Sequence, residues 1–216
     1  MKKTKLLTTL GAVALIGAIG IGSTFAYLTS ETGTVKNTFT VGKVEIALKE
    51  SAVTKTNGQY VDGDEANKWT VTENTYEDLI PGDVMVKDPT VIVKENEVVA
   101  NVFVAVKLDT ENGWSYDEST KKFTCGEFST DAVTNDWKLY KATATEAVFC
   151  KQNVDSSEGD VALTLFNKVT YAASATEAKA PADLKIRAAA VQAGNINLDD
   201  GYAQVSGKLL AFTSVN

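Results

Sequence analysis

The protein has 216 residues, contains no histidine and carries a formal net charge of −7 at pH 7. The missing histidine excludes Ser-His-Asp and Cys-His catalysis and zinc sites of the His-Glu-x-x-His type. An acidic chain is also a poor candidate for binding nucleic acid or an anionic membrane surface, because both attract Lys and Arg. We therefore predict no catalytic residue, no cofactor and no resident metal.

The first 26 residues have the pattern of a secretory signal peptide, which is helical before its removal. Three lysines among the first five residues precede a run that stays uncharged as far as Ser30. Thr24 and Ala26 place small side chains at the −3 and −1 positions, so we expect cleavage between Ala26 and Tyr27. About 20 apolar residues can also span a bilayer, so an uncleaved membrane anchor is the alternative. Removing 26 residues with three lysines and no acid leaves 190 residues and a charge of −10.

The segment after this junction, residues 27–38, is rich in Thr and almost free of charge. A new chain end is usually disordered. The composition also suits a strand that adds to the sheet edge of a neighbouring molecule. Head-to-tail addition of this kind does not close on itself and makes a fibre. The candidate donor-strand residues are Tyr27, Leu28, Thr29, Val35 and Phe39.

The remaining chain, residues 39–216, shows short windows of alternating apolar residues that predict β-strands. The first strands are expected at 42–48, 69–72 and 84–93, with Pro89 forcing an edge or a bulge in the third. Asn57-Gly58 and Asp62-Gly63 are turn signals. Pro81-Gly82 predicts a type II turn, because Pro fixes φ and Gly permits positive φ.

The strongest core strand is expected from Val98 to Leu108, where every even-numbered position is apolar. The charged residues 94–97 before it suggest a hairpin connection. Asp109 to Asp136 is less regular, and we expect an insertion with one or two short strands or a helical turn. Within it, Trp114 and Tyr116 are candidates for an exposed contact.

Further strands are predicted at 137–140, 147–150, 161–170 and 183–193, with a connector at 172–181. The tail after Asn197 fits either a helix that begins near Asp199-Asp200 or a final strand. The two cysteines, Cys125 and Cys150, allow one disulfide in an oxidising exterior, and two free thiols are the alternative.

Several acidic clusters could supply oxygen ligands to calcium, but none has the spacing of a calcium-binding loop. Solvated turns on an acidic surface are therefore our interpretation, and a hydrolase with paired carboxylates is a weaker alternative. The clusters are Asp62–Glu65, Glu77-Asp78, Asp155–Asp160 and Asp199-Asp200.

Several blocks of the chain resemble the TasA/camelysin (CalY) family of Gram-positive bacteria. They begin with the Gly- and Ala-rich leader and its Thr-Phe-Ala-Tyr junction. The others are Asn37 to Ile46 (NTFTVGKVEI), Leu79 to Asp83 (LIPGD), Trp137, Leu165 to Val169 (LFNKV) and Ala188 to Gln192 (AAAVQ).

The resemblance implies an all-β, antiparallel β-sandwich of the jelly-roll type. It also implies export through a SipW-type signal peptidase and assembly into fibres of an extracellular biofilm matrix. Its partners are then the peptidase, other copies of this chain and other matrix or cell-surface components, with membrane association only before cleavage. Some camelysins are classed as metallopeptidases, but this chain lacks the histidines of such zinc sites.

We therefore expect a secreted structural protein rather than an enzyme. The alternative is a monomeric cell-surface adhesin or ligand-binding module in which residues 109–136 carry recognition. An extracellular hydrolase is the third hypothesis and is disfavoured by the absence of histidine.

Overall fold

The computed structural model describes residues 43–57, 59–63, 65–111, 113–176 and 180–212. The predicted signal peptide and donor segment, with the junction at Ala26 and Tyr27 and all five donor-strand residues, lie outside the described residues.

The described chain is mostly β-strand with one α-helix, as expected for the predicted all-β class. In chain order the elements are β1 Ile46–Lys49, β2 Val53–Thr56, β3 Gln59–Asp62, a 3-10 helix Glu65–Asn67, β4 Val84–Val86, β5 Thr90–Val93, β6 Asn96–Lys107, β7 Ser115–Asp117, β8 Lys122–Cys125, β9 Phe128–Thr130, β10 Lys138–Ala142, β11 Glu146–Ser156, β12 Val161–Thr164, β13 Lys168–Tyr171, β14 Ile186–Gln192 and α1 Leu198–Leu209.

The strands form three sheets in the described part of the chain. Their orders are β1-β5-β12, β10-β11-β6-β14 and β2-β3-β4-β13-β9-β8-β7. Neighbouring strands run antiparallel, except that β3 and β4 pair in parallel between Tyr60 and Met85. Sequence neighbours are often in different sheets, so the main core is assembled from distant parts of the chain.

Strand β6 is the centre of the four-stranded sheet, and it confirms the predicted core strand. Val102, Val104 and Val106 belong to the main apolar cluster, which draws side chains from all three sheets. Phe103 and Ala105 face the opposite side and are also buried, in a second cluster. Because successive side chains of a strand alternate, a strand buried on both faces reads as a continuous apolar run.

Helix α1 covers this second face of the four-stranded sheet. The Asn197 side chain caps its first turn by accepting a hydrogen bond from the Asp200 amide at 2.9 Å. Asp199 and Asp200 lie in the first turn and Lys208 in the last, which complements the helix dipole. Of the two alternatives for the tail, the structure has the helix.

Two predicted strands are wrong because each is split between sheets, and the predicted strand 69–72 is instead a turn with one isolated bridge at Val71. Residues 84–93 form β4 in the seven-stranded sheet and β5 in the three-stranded sheet, with Pro89 at the break. Pro has no N–H to donate to a ladder, so the chain leaves one sheet there and joins another. Residues 161–170 divide in the same way into β12 and β13. The predicted 94–97 hairpin is also wrong, since β5 and β6 belong to different sheets.

Residues 109–136 are more regular than the sequence suggests. They contain β7, β8 and β9, which extend the seven-stranded sheet as an antiparallel meander. Each of these strands is only three or four residues long, too short for a clear alternating pattern. The sequence predicted one or two short strands in an irregular insertion, whereas the structure has three, all in one sheet.

The Pro81-Gly82 turn has the predicted type II geometry. Gly82 has φ +98°, and the Asp83 amide donates to the Ile80 carbonyl at 3.0 Å. A Cβ at Gly82 would meet only Ala173, at 3.8 Å, so the constraint there is the backbone conformation and not space.

We predict that Gly82→Ala lowers the free energy of unfolding by about 1–2 kcal/mol, because alanine is strained at this φ. Gly207→Ala is the control, since Gly207 lies in α1 with nothing within 4 Å of an added Cβ. It should raise stability by up to about 1 kcal/mol through helix propensity. Urea unfolding followed by circular dichroism measures both changes, and equal effects of the two substitutions would contradict this account.

Candidate strand-receiving groove

A groove of about 710 Å³, lined by both apolar and polar side chains, opens beside strand β1. One wall is the end of β1, Leu48 and Lys49, with Glu50 after it, and another is the loop from Thr72 to Tyr76. The chain from Ala180 to Ile186, which leads into β14, lines the opposite side. Deeper lining comes from core side chains: Met85, Trp114, Phe128 and Val169. The groove therefore reaches from the surface to side chains of the main core.

Two open strand edges flank this groove. Within the described residues, β1 is the outermost strand of its sheet and pairs only with β5, while β14 is outermost and pairs only with β6. The two strands lie near each other, but no ladder joins them. Both strands direct side chains into the same core, including Leu48 and Ile186. An unpaired edge presents a row of N–H and C=O groups that can pair with another strand.

Two other sheet edges, those of β10 and β12, carry features that hinder pairing. Strand β10 has a bulge between Leu139 and Lys141, and bulges and lysines are common protections of an edge. At β12, the Thr164 carbonyl already accepts hydrogen bonds from Thr134 at 2.7 Å and Trp137 at 3.1 Å. The β1 and β14 edges are thus more favourable places for an added strand than those of β10 and β12.

One end of the groove is polar, and the two charged side chains there form an ion pair. Lys87 and Glu50 form a 2.8 Å ion pair with side chains only 17% and 10% exposed. The Asn74 amide also donates to Glu50, at 3.2 Å, and to the Ser51 carbonyl, at 2.9 Å. Because a buried charge is costly unless it is paired, this cluster holds the Thr72–Tyr76 wall in place.

Tyr76 anchors the same wall to β4. Its hydroxyl donates to the Val86 carbonyl at 2.6 Å. Burial, and then the nearby charge of Glu50, raises the pKa of Tyr76 well above its usual value. The phenol therefore remains a hydrogen-bond donor at every physiological pH.

The predicted exposed contact at Trp114 is wrong. Its side chain is only 3% exposed, and its indole N–H donates to the Ala182 carbonyl at 2.7 Å. Tyr116 is half-buried, with its ring against Phe123 and Phe149. Both aromatics are held by the β7–β9 meander, which packs on the core, so their role is structural. Trp114 also braces the Ala180–Ile186 wall of the groove.

Cys125 and Cys150 are free thiols, so the candidate disulfide is absent. Cys125 packs against the main core, from the seven-stranded sheet. Cys150 lies opposite Phe103 on β6 and belongs to the second cluster, beneath α1. The two side chains are thus on different faces of different sheets. Burial raises the pKa of the Cys150 thiol, so the thiol stays protonated. Cys150 therefore packs as a small apolar residue of the core.

In the Asp155–Asp160 cluster, the first and last carboxylates are held by neighbouring groups. Asp155 accepts from the Ser157 hydroxyl at 2.7 Å, and Asp160 accepts from the Lys94 ammonium at 2.7 Å. These bonds lower the pKa of both carboxyl groups. Among the described residues, no group of three or more His, Cys, Asp or Glu side chains is arranged to hold a metal ion.

Most of the groove has no signal in the amino-acid sequence. The alternation in residues 183–193 correctly placed Leu184, Ile186, Ala188 and Ala190 on one face. No sequence signal marked Asn74, which lies in a polar stretch. The open edges depend on which strands pair, and that information is not local.

None of the helices in the described part of the chain has both the length and the apolar character needed to cross a membrane. Comparisons with protein-family models, with curated proteins and with solved structures found no match. The resemblance to the TasA/camelysin family therefore stays a prediction from the motifs.

Proposed function

We propose that this protein is a secreted structural subunit of the TasA/camelysin type, which assembles into extracellular fibres by strand addition. The observation that carries the proposal is the groove flanked by the edges of β1 and β14, which are open among the described residues. An added strand there would satisfy exposed backbone groups and bury apolar side chains at the same time. No catalytic step is required.

The proposed occupant is the segment of residues 27–38 from a neighbouring copy. Glu31 and Lys36 are its only charged residues, and it has one glycine and no proline. Such a composition favours an extended strand with low desolvation cost. The groove of each copy receives the segment of the next, so the contact is head-to-tail and propagates.

We further propose that the sheets form a jelly-roll-like sandwich. Support comes from the main core cluster, in which side chains of all three sheets meet. In this arrangement the added strand would lie between β1 and β14 and join two sheets that are separate in the monomer. Release of the segment by a SipW-type signal peptidase would precede assembly in the biofilm matrix.

The proposal predicts that Leu184→Glu abolishes fibre formation. Leu184 is half-buried on the groove wall, and a carboxylate there would have to lose its hydration when a strand enters. Gln204→Glu is the matched control, because it adds the same charge on the exposed side of α1. Both variants of the chain 27–216 are purified, checked by circular dichroism and viewed by negative-stain electron microscopy.

Fibres from Gln204→Glu and none from folded Leu184→Glu would support the groove as the receiving site. Fibres from both would exclude the groove. Monomers from the unsubstituted chain and from both variants would contradict the fibre function. They would favour the monomeric surface module, or addition of the segment to its own edge.

A further inference from the structure

The backbone N–H and C=O groups of successive β1 residues point to opposite edges of the strand. The Glu45 carbonyl accepts from the Lys94 amide at 3.0 Å, and the Ser51 amide donates to the Asp88 carboxylate at 2.8 Å. These odd-numbered residues face β5. Since the direction alternates along a strand, Ile46 and Leu48 present their N–H and C=O groups to the open edge.

The open edge ends at the next even-numbered residue, Glu50. Its amide donates to the Val71 carbonyl at 2.8 Å, and its carbonyl accepts from the Val71 amide at 3.1 Å. The Ala52 amide then donates to the Asn67 carbonyl at 3.0 Å. A neighbouring part of the chain therefore already occupies the edge beyond Leu48.

Val71 is presented to this edge by a tight turn. Trp69 has φ +49°, and its amide donates to the Ser51 hydroxyl at 3.4 Å. The Thr70 hydroxyl donates to the Asn67 carbonyl at 2.9 Å. These bonds hold Val71 opposite Glu50 by local contacts and not through a longer strand.

We propose that Val71 ends the receiving edge of β1 and thereby sets the register of the added strand. The added strand can pair with Ile46 and Leu48 but cannot continue to Glu50, because both backbone groups of Glu50 are occupied. A shift of two residues toward Glu50, about 7 Å, would force the added strand against Val71. This inference rests on the proposed strand addition and names the residue that limits its register at this end.

The first test maps the register by disulfide cross-linking between copies. In a Cys125→Ser, Cys150→Ala background of the chain 27–216, Ala47→Cys is combined separately with cysteine at Thr32, Thr34 or Lys36. Ala47 is next to the open edge residues and is half-buried. A disulfide requires Cα atoms within about 7 Å, so only one position should link efficiently, by about tenfold over the others.

Val71→Pro removes the amide that bonds to Glu50, and Thr72→Pro is the matched control. Proline at position 72 keeps the Val71 amide and favours an extended residue before it. We expect cross-links to spread over several positions in Val71→Pro and to stay at one position in Thr72→Pro. A single register in both variants would overturn the role of Val71 and leave strand addition intact. If no cross-link between copies forms in any variant, including the cysteine pairs in which Val71 and Thr72 are unchanged, that result would count against strand addition itself.

The second test needs no substitution and applies even if Val71→Pro fails to fold. Amide hydrogen exchange is compared between freshly purified monomer and fibre. The Glu50 amide should be protected in both states, whereas the Leu48 amide should gain at least about tenfold protection on assembly. A Glu50 amide that exchanges as fast as that of Leu48 in the monomer, or gains protection only in the fibre, would overturn the inference.

Discussion

The chain that begins at Phe39 is expected to remain a folded monomer and to form no fibres, in contrast to the chain of residues 27–216. Removing residues 27–38 takes away the proposed donor strand but none of the described elements, the first of which begins at Ile46. Residues 42–216 form a compact unit by themselves, so the deletion should not cost the fold. We expect that no fibres form and that the packing of the core is unchanged.

Sedimentation velocity and negative-stain electron microscopy measure the assembly state, and near-ultraviolet circular dichroism reports the tertiary packing. A second variant, Leu28→Pro in the chain 27–216, tests the segment without shortening the chain. Proline cannot donate a backbone hydrogen bond to a sheet, and it restricts the backbone. It should slow or prevent elongation. Fibres from the chain that starts at Phe39 would disprove the donor-strand mechanism, whatever the other chains do.

Trp114→Ala should be the most destabilising substitution of an aromatic residue near the groove, by about 3–5 kcal/mol. The side chain is buried in the main core, and its indole holds the Ala182 carbonyl at 2.7 Å. Truncation would leave a cavity and also release the wall that leads into β14. We therefore expect a lower urea midpoint and, at temperatures where the variant is still folded, weaker fibre formation.

Two further variants separate the contributions to this loss. Trp114→Phe keeps most of the apolar volume and loses the hydrogen bond, so it should cost less than Trp114→Ala, on the order of 1 kcal/mol for the bond. Trp69→Ala is the control at a half-buried tryptophan in a turn, and its cost should be smaller. If Trp114→Ala changed the free energy of unfolding by less than about 0.5 kcal/mol, as surface substitutions do, the side chain would have to be exposed after all.

Several local features followed from neighbouring residues alone. The even-numbered apolar positions of 98–108 predicted β6, and Pro81-Gly82 predicted a turn that requires positive φ at Gly82. The alternation at 183–193 predicted β14 and its core-facing side. In each case the signal is short-range, because side-chain alternation and backbone restriction act over a few residues.

The failures came from choices that no local pattern encodes. Trp114 has polar neighbours in sequence, yet the β7–β9 meander buries it under distant strands. Cys125 and Cys150 are compatible with a bridge by number alone, but the sheets separate them. Burial and pairing of this kind depend on which strands meet.

The amino-acid sequence specifies the β-rich character of the described chain, its best core strand and its turns, since these arise from periodicity and from the backbone limits of Pro and Gly. It also contains the motifs that suggest export and the donor segment. Tertiary structure alone decides that Pro89 separates two sheets, that β1 and β14 have open edges among the described residues, and that Val71 closes one of them at Glu50. Edges and grooves are defined by strands distant in the chain, and their pairing minimises unsatisfied backbone groups over the whole fold.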